Sequence, residues 1–479
     1  MASNLPSPAE LLARAEQHLQ RGERAEAIAA FTQGLEQDPA HPDAWFNLAW
    51  TLRAERRFAP ALAAYAEAIA RGVTRPEEAH LNRAVIFSEH LFDVERACAE
   101  LLAALALEPG FVTAWLNLAN IHEDLGQAAA AQEAYRKVLA IDPANGRAHA
   151  RLGAIATFAG HASEAVPALR TALGSARSIE DRADILFALG AALDDLGDHA
   201  DAFHAIEAGN MLAQSIAPVR YDRVGQVALV DRLIASAPSP VTAARAADAP
   251  VFICGMFRSG STLAEQMLAR DPAVTPGGEL EFIPALAHRL SPYPEAVAML
   301  SDGEVASLRA EYLRERPPGT IVTDKRCDNV LHLGLIFRLF PDARIVHTVR
   351  QPLDTILSVY FQHFGSEVRY GNDLRDAAHY YIQYRRLMQH WTGLYGGNIH
   401  TLDYDRLVED PRGALGEVLP ALGLAWEEAV VASQPIVDAV RTASVWQVRK
   451  PLHRRSSGRW RNYERQLAGV RAMLADAGL

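Results

Sequence analysis

The chain has 479 residues, 49% hydrophobic and 22% charged, with a formal net charge of −11. That is ordinary globular composition, long enough for two or three domains, and its acidic balance argues against general nucleic-acid binding. Cys98, Cys254 and Cys327 form neither a CxxC pair nor a metal-ligand spacing, which suits a reducing compartment. The opening MASNLPSPAELLARAEQ lacks the basic-then-apolar order of a secretory signal. No stretch approaches the roughly 20 apolar residues that span a bilayer. A cytoplasmic protein without a transmembrane segment is expected.

In chain order, repetition comes first. PDAWFNLAWTLRAERRFAPALAAYAEAI, from Pro42 to Ile69, matches VTAWLNLANIHEDLGQAAAAQEAYRKVL, from Val112 to Leu139, and a weaker copy lies between them. Asn47, Asn82 and Asn117 stand 35 apart, while Gly126 and Gly160 stand 34 apart, as do Pro109 and Pro143. Each unit reads as two helices, with alanine or glycine where helices approach closely. The pairs Asp38–Pro39 and Asp142–Pro143 end a unit, because proline cannot continue a helix. This period resembles the tetratricopeptide repeat. A generic alanine-rich bundle would have no reason to keep it. The resemblance implies about five or six hairpins over residues 8–214, stacked as an all-α solenoid because one unit cannot bury its apolar face alone. It also implies a concave face for a peptide or protein. Residues 215–249 read as a connecting segment with one helix around Val224 to Ala235.

From Val251 the pattern changes. VFICG, GTIVTDK, ARIVHTVR and the start of NIHTLDYDRLVEDP read as strands. STLAEQMLARD, VLHLGLIFRLFP and PLDTILSVYFQHF between them read as helices. Strands separated by helices predict an α/β domain over 250–479 with a central parallel sheet. Ligands of such sheets bind at the carboxyl ends of the strands, which here carry Arg258, Lys325, Arg350 and Tyr404.

The first strand runs into GMFRSGST, spaced like a phosphate-binding loop. A nucleotide-triphosphatase loop would have lysine at position 261. This chain has Ser261, and Arg258 stands earlier. Backbone N–H groups at a glycine turn and a helix N-terminus attract an anionic oxygen, and Arg258, Ser261 and Thr262 add donors. Neither that lysine nor a Mg²⁺ carboxylate stands in the expected place, and a donor with fewer charges could manage with arginine, hydroxyls and backbone donors.

The loop resembles the 5′-phosphosulfate loop of sulfotransferases, which transfer a sulfuryl group from 3′-phosphoadenosine 5′-phosphosulfate. RIVHTVRQPLDTILSVYFQHF resembles the strand and helix that grip the 3′-phosphate in that family, with Arg350 after the strand and Ser358 eight residues on. Arginine suits bidentate contact with an oxyanion. The best subfamily match is the tyrosylprotein sulfotransferases and their bacterial relatives fused to tetratricopeptide repeats. In that group a glutamate follows the loop, and VTPGGELEFIP places Glu279 21 residues after Arg258. Lys325 in TDKRCDN matches a lysine beside the scissile bond, and Tyr404 a tyrosine lying against the nucleotide. SVWQVRKPLHRRSSGRW resembles the C-terminal nucleotide loop, with Ser444, Lys450 and Arg459 at matching positions.

The resemblance covers about residues 250 to 463. It implies a donor site of Arg258, Ser259, Gly260, Ser261, Thr262, Arg350, Ser358, Tyr404, Ser444, Lys450 and Arg459. Glu279 would accept the proton of an acceptor hydroxyl or amine, Lys325 would neutralise the leaving oxygen, and Arg258 would hold the phosphosulfate. Transfer would be in line and need no metal. Glu281 is the nearest rival to Glu279, and His347, inside a strand, reads as structural. Phe257 replaces the loop's usual proline, and Gln362 stands where the tyrosylprotein enzymes tend to have arginine. Protein tyrosine is therefore not carried over: peptide tyrosine, a saccharide and a lipid-linked glycan stay open, as do monomer and homodimer. The tail from Arg441 carries nine lysines and arginines against two acids, which fits a flap over a phosphorylated nucleotide. A scaffold with an inactive nucleotide-fold remnant and a P-loop kinase are the competing readings.

Overall fold

The structure is a computed structural model that describes residues 6–240, 249–365, 368–426, 428, 446 and 455–479. Its contacts divide the chain into two units, residues 1–148 and 149–479.

The first unit is helical. Helices α1 (Pro8–Gln20), α2 (Arg24–Gln37), α3 (Pro42–Ala54), α4 (Phe58–Ala70), α5 (Pro76–Val85), α6 (Val94–Leu107), α7 (Val112–Asp124) and α8 (Ala128–Ile141) pair in sequence as antiparallel hairpins. Local chemistry sets their starts. Ser7 caps α1 in a reciprocal capping box with Glu10, and Pro8, Pro42 and Pro76 occupy first turns, where a missing N–H costs nothing. The helices α2 and α8 end one residue before Asp38–Pro39 and Asp142–Pro143. Repetition extends to single bonds: the indole N–H of Trp45 donates to Pro39 O (3.0 Å), and that of Trp115 to Pro109 O (3.1 Å). Tyr65 and Tyr135 are both fully buried. The weakest sequence copy is the least regular, since α5 runs on into a π-helical turn, Ile86–His90.

Helix α9 (Gly146–Phe158) crosses the division. Beyond it, α10 (Ala162–Ser175), α11 (Ile179–Asp195) and α12 (His199–Ile216) complete the repeat pattern at six hairpins among the described residues. The predicted connecting helix is α13 (Arg223–Ala235).

Then come β1 (Val251–Gly255), α14 (Ser261–Leu268), β2 (Val274–Pro276), α15 (Phe282–Arg289), α16 (Asp302–Glu315), β3 (Ile321–Lys325), α17 (Leu333–Leu339), β4 (Arg344–Val349), α18 (Pro352–Tyr360), α19 (Leu374–Tyr395), β5 (Ile399–Asp403), α20 (Tyr404–Glu409), α21 (Pro411–Leu422) and, near the end, α22 (Ala468–Asp476). The strands form one parallel sheet in the order β2-β3-β1-β4-β5. The chain winds outward from β1 to β2, returns through β3, then crosses to β4 and β5. The direction of winding therefore changes at β1, where the crevice of an open α/β sheet forms. Both faces are covered: Phe252 and Cys254 of β1 point into one core, Val251 and Ile253 into the other.

One of those cores includes residues of the repeat region. Phe187 of α11 and Phe203, Ile206 and Ala213 of α12 pack with Leu353, Ile356 and Tyr360 of α18. The ring of Phe203 lies 5.7 Å from that of Tyr360 and 6.1 Å from that of Tyr463. Buried Asn210 donates through Nδ2 to Tyr360 O (2.9 Å), and the His363 ring stacks on Phe187 at 4.9 Å. The helix α13 is tied to α19 by Arg386–Asp231 and Arg223–Asp376, both at 2.6 Å. The last repeat hairpin is thus part of the sheet unit's packing. Phe203→Ala is expected to cost about 3–5 kcal/mol in urea unfolding of the intact chain. A loss below about 1 kcal/mol would mean that this packing does not carry the hairpin.

Candidate active site

The site grows from the carboxyl ends of the three central strands. At Gly255 a Cβ would lie 2.4 Å from Thr348 O, so only glycine lets the loop leave β1 this close to β4. Arg258 has φ +71°, a left-handed conformation rare outside glycine and costing about 1–3 kcal/mol. Gly260, φ +101°, caps α14, and a Cβ there would meet Tyr404 Cδ2 at 2.6 Å. Ser259 Oγ is hydrogen-bonded to Thr348 Oγ1 (2.7 Å), and Ser259 N donates to Met256 O (3.1 Å). These constraints cinch the loop against β4 and aim the amino end of α14 into the crevice. Buried Ser261 and Thr262 form its first turn, with Ser261 Oγ 3.3 Å from Cys327 Sγ.

Basic side chains converge on this turn. Arg258 Nε donates to Ser358 Oγ (3.0 Å), which joins the loop to α18. Arg350, 9% exposed, follows β4; its Nη1 donates to Arg258 O (3.3 Å) and its Nη2 to Ser456 O. Its guanidinium lies 4.8 Å from the centre of the Tyr404 ring. Arg350 Nε is buried and has no hydrogen-bond partner among the described residues. Burial, together with Arg350 and Arg459, lowers the Arg258 guanidinium to about 10, so it stays charged at neutral pH but under repulsion.

On the other side of β1, Lys325 at the end of β3 is only 1% exposed and is ion-paired with Glu279, which is 38% exposed. Burial disfavours the ammonium, but the Glu279 and Glu265 carboxylates outweigh that and raise its pKa. Gly277 gives the turn before Glu279 its close fit, since a Cβ there would stand 2.2 Å from Thr323 O. Glu281, the rival carboxylate, turns away to Arg326 (2.6 Å). His347 is buried, hydrogen-bonded through Nε2 to the Tyr384 hydroxyl and lowered to about 4 by burial.

Most of the expected site residues therefore come together around one crevice. Arg258, Ser259, Gly260, Ser261, Thr262, Arg350, Ser358 and Tyr404 form one side of it. Glu279 and Lys325 form the other. The hydroxyl of Ser358 meets Arg258, and Tyr404 lies against both Gly260 and Arg350. Arg459 pairs with Asp194 of α11 (3.0 Å). Ser444 and Lys450 lie outside the described residues.

Four buried or half-buried carboxylates carry no local signal in the sequence. Glu265, within α14, accepts from Gly278 N (3.1 Å) and Thr323 Oγ1 (2.8 Å), pinning the turn that carries Glu279. Asp354, in the first turn of α18, accepts from Gly458 N (2.6 Å) and Trp460 N (2.8 Å). Asp405 accepts from Gln351 N (2.9 Å) and Ser457 Oγ. Asp324, beside Lys325, accepts from the Tyr312 hydroxyl and Asn329 Nδ2, both at 3.2 Å.

A glycine loop at the switch point of a parallel sheet, beside Arg258 and Arg350 and without a loop lysine, marks an α/β domain preceded by helical repeats. Known proteins agree with this division. Residues 250–428 match the model of the sulfotransferase family. Residues 12–76, 112–145 and 152–209 match tetratricopeptide-repeat models. The chain carries tetratricopeptide repeats in its N-terminal region and a sulfotransferase-family domain in its C-terminal region. It is 32% identical over 340 residues to an uncharacterized protein of Aquifex aeolicus, covering 65% of this chain and 44% of the relative. The chain thus matches less than half the length of that curated relative. Among solved structures, it is similar to a tetratricopeptide repeat protein from Parabacteroides merdae (17% identity, 47% of this chain and 91% of that one, TM-score 0.36). It is also similar to YrrB, described as a TPR protein with an unusual peptide-binding site (17% identity, 41% and 90%, TM-score 0.30). Among the described residues, no helix is long and apolar enough to cross a membrane.

Burial raises the Asp324 carboxyl to about 8, against the pull of Tyr312, Asn329 and Arg326. An aspartate in the unfolded chain titrates near 3.9. Between those values the folded state holds the extra proton, so this group's contribution to stability falls as pH rises from about 4 to about 8. Asp324→Asn stays neutral and is expected to lose that slope. Urea unfolding at about pH 5 and about pH 8 should therefore show a smaller difference for the variant than for wild type. Equal differences would mean that Asp324 ionises in its folded site.

Proposed function

We infer that the chain is a sulfotransferase using 3′-phosphoadenosine 5′-phosphosulfate as donor and a hydroxyl-bearing acceptor. The observation that carries this reading is the gathering of Arg258, Arg350 and a helix N-terminus at a crevice where Arg350 Nε is buried without a hydrogen-bond partner among the described residues. Like charges held together in a partly buried site call for an anion, and Ser261 in place of the loop lysine disfavours a triphosphate. The nucleotide fits this donor set. Arg258, Ser259, Gly260, Ser261 and Thr262 would hold its 5′ end, and Arg350 and Ser358 its 3′-phosphate. Tyr404, Arg459, Ser444 and Lys450 would close around it.

The donor supplies the sulfuryl group: an acceptor O–S bond forms as the bridging S–O bond breaks, and the electron pair leaves with 3′,5′-bisphosphoadenosine. Glu279, partly exposed and held by Lys325, takes the acceptor proton at a carboxylate oxygen. Lys325, fixed in the core at the end of β3, places a positive charge where the leaving oxygen gains a negative one. Arg258, tied to Ser358, orients the transferred group. Glu265 holds the Gly277–Gly278 turn so that Glu279 stays aimed. No metal is required in this scheme.

The repeats, residues 8–214, would offer a peptide or protein surface, 215–249 would connect, and 250–479 would carry the chemistry. A cytoplasmic setting fits the three free cysteines. Peptide tyrosine and saccharide hydroxyls are the acceptors to screen. With labelled donor, Glu279→Gln is expected to lower kcat about 10²–10⁴-fold while binding of the bisphosphate stays near wild type. Unchanged turnover would remove Glu279 as the base.

A further inference from the structure

We propose that Asp194, at the end of α11 in the last repeat hairpin, is a positioning residue for the donor site. It would act by fixing the segment 455–463 over Arg350. This rests in part on the sulfotransferase reading, because the segment's role in binding nucleotide comes from it.

The segment is tied at two ends. One set of bonds joins it to the crevice: Arg350 donates to Ser456 O, Ser457 Oγ to Asp405, and Gly458 N and Trp460 N to Asp354. Gly458, φ +76°, makes a turn within it. Side chains beyond that turn join it to the repeat hairpin. Asp194 Oδ2 pairs with Arg459 Nη2 (3.0 Å), and Asp194 Oδ1 accepts from the Tyr463 hydroxyl. His199 Nδ1 stands 3.4 Å from the same carboxylate. The Arg459 guanidinium also lies 4.4 Å from the centre of the Phe361 ring, just beyond the helix that carries Ser358. Farther up the chain, Phe158 of α9 lies 4.8 Å from Trp446, a further aromatic contact between repeat and tail.

Asp194 is not there for its own helix. It stands in the last turn of α11, which has no basic residue, and a carboxylate at that end opposes the helix dipole. An unfavourable local position is explained by what the side chain holds. A carboxylate that satisfies both a guanidinium and a phenol fixes the direction of Arg459, which then needs no reordering when an anion arrives. The hairpin thereby bears on the donor site without touching the donor.

The test uses the full chain. Asp194→Asn keeps the shape and removes the charge. Amide exchange at Gly458 and Trp460 is expected to rise about tenfold. Titrated with 3′,5′-bisphosphoadenosine, the variant should bind about tenfold more weakly, and the donor KM should rise with kcat nearly unchanged. Asp194→Glu should restore part of both. Tyr463→Phe removes one hydrogen bond and keeps the ring, so it serves if Asp194→Asn fails to fold; a smaller change of the same kind is expected. Unchanged exchange would overturn the proposal, as would raised exchange with unchanged binding, or equal losses in kcat and 1/KM. If wild type itself does not bind the bisphosphate, the sulfotransferase reading fails, while the exchange result still decides whether Asp194 holds the segment.

Discussion

The dominant constraint on this site is the cost of taking cations out of water. A buried guanidinium or ammonium is penalised by several kcal/mol unless the protein supplies partners. Lys325 receives one in Glu279, with Glu265 close behind. Arg350 receives carbonyl oxygens and the face of Tyr404, and one of its N–H groups stays without a partner among the described residues. The two halves of the crevice are therefore in different electrostatic states. The half at β3 is internally neutralised and suits proton transfer. The half at β1 and β4 is left positive and suits an anion.

The rest of the unit keeps that imbalance in place. The parallel sheet puts the ends of β3, β1 and β4 side by side, and loop glycines let backbone approach backbone where side chains could not fit. Carboxylates then hold the backbone around the crevice. Glu265 fixes the turn before Glu279, while Asp354 and Asp405 fix the tail beyond Ser456. The end of α18, the helix that carries Ser358, is packed against α12 through Tyr360, Phe203 and Asn210. The last repeat hairpin is thus a wall of the sheet unit, joined by packed aromatic rings to the helix that carries Ser358.

What the sequence revealed follows from how far apart the cooperating residues lie. The loop, the strand ends and the repeat period are local signals. Arg258, Lys325 and Arg350 could be placed together from chain order because strand ends in a parallel sheet share one edge. The strand β2 escaped notice because three residues ending in proline carry no alternation. The 22-residue α19 was hidden by its tyrosines: its buried face mixes Tyr380, Tyr381, Tyr384, Trp391 and Tyr395 with Ala377, Leu387 and Met388, among charged neighbours. The partnered carboxylates were invisible for a different reason. An isolated aspartate reads as surface by default, and the partners of Asp354 and Asp194 lie 104 to 269 residues away.

The most direct test of the account is calorimetric titration of 3′,5′-bisphosphoadenosine and of ATP with Mg²⁺ into wild type and Arg350→Ala. The account predicts micromolar binding of the bisphosphate, loss of that binding in Arg350→Ala and poor binding of ATP. No binding of the bisphosphate, or tighter binding of ATP with Mg²⁺, would contradict it and favour a scaffold or a kinase.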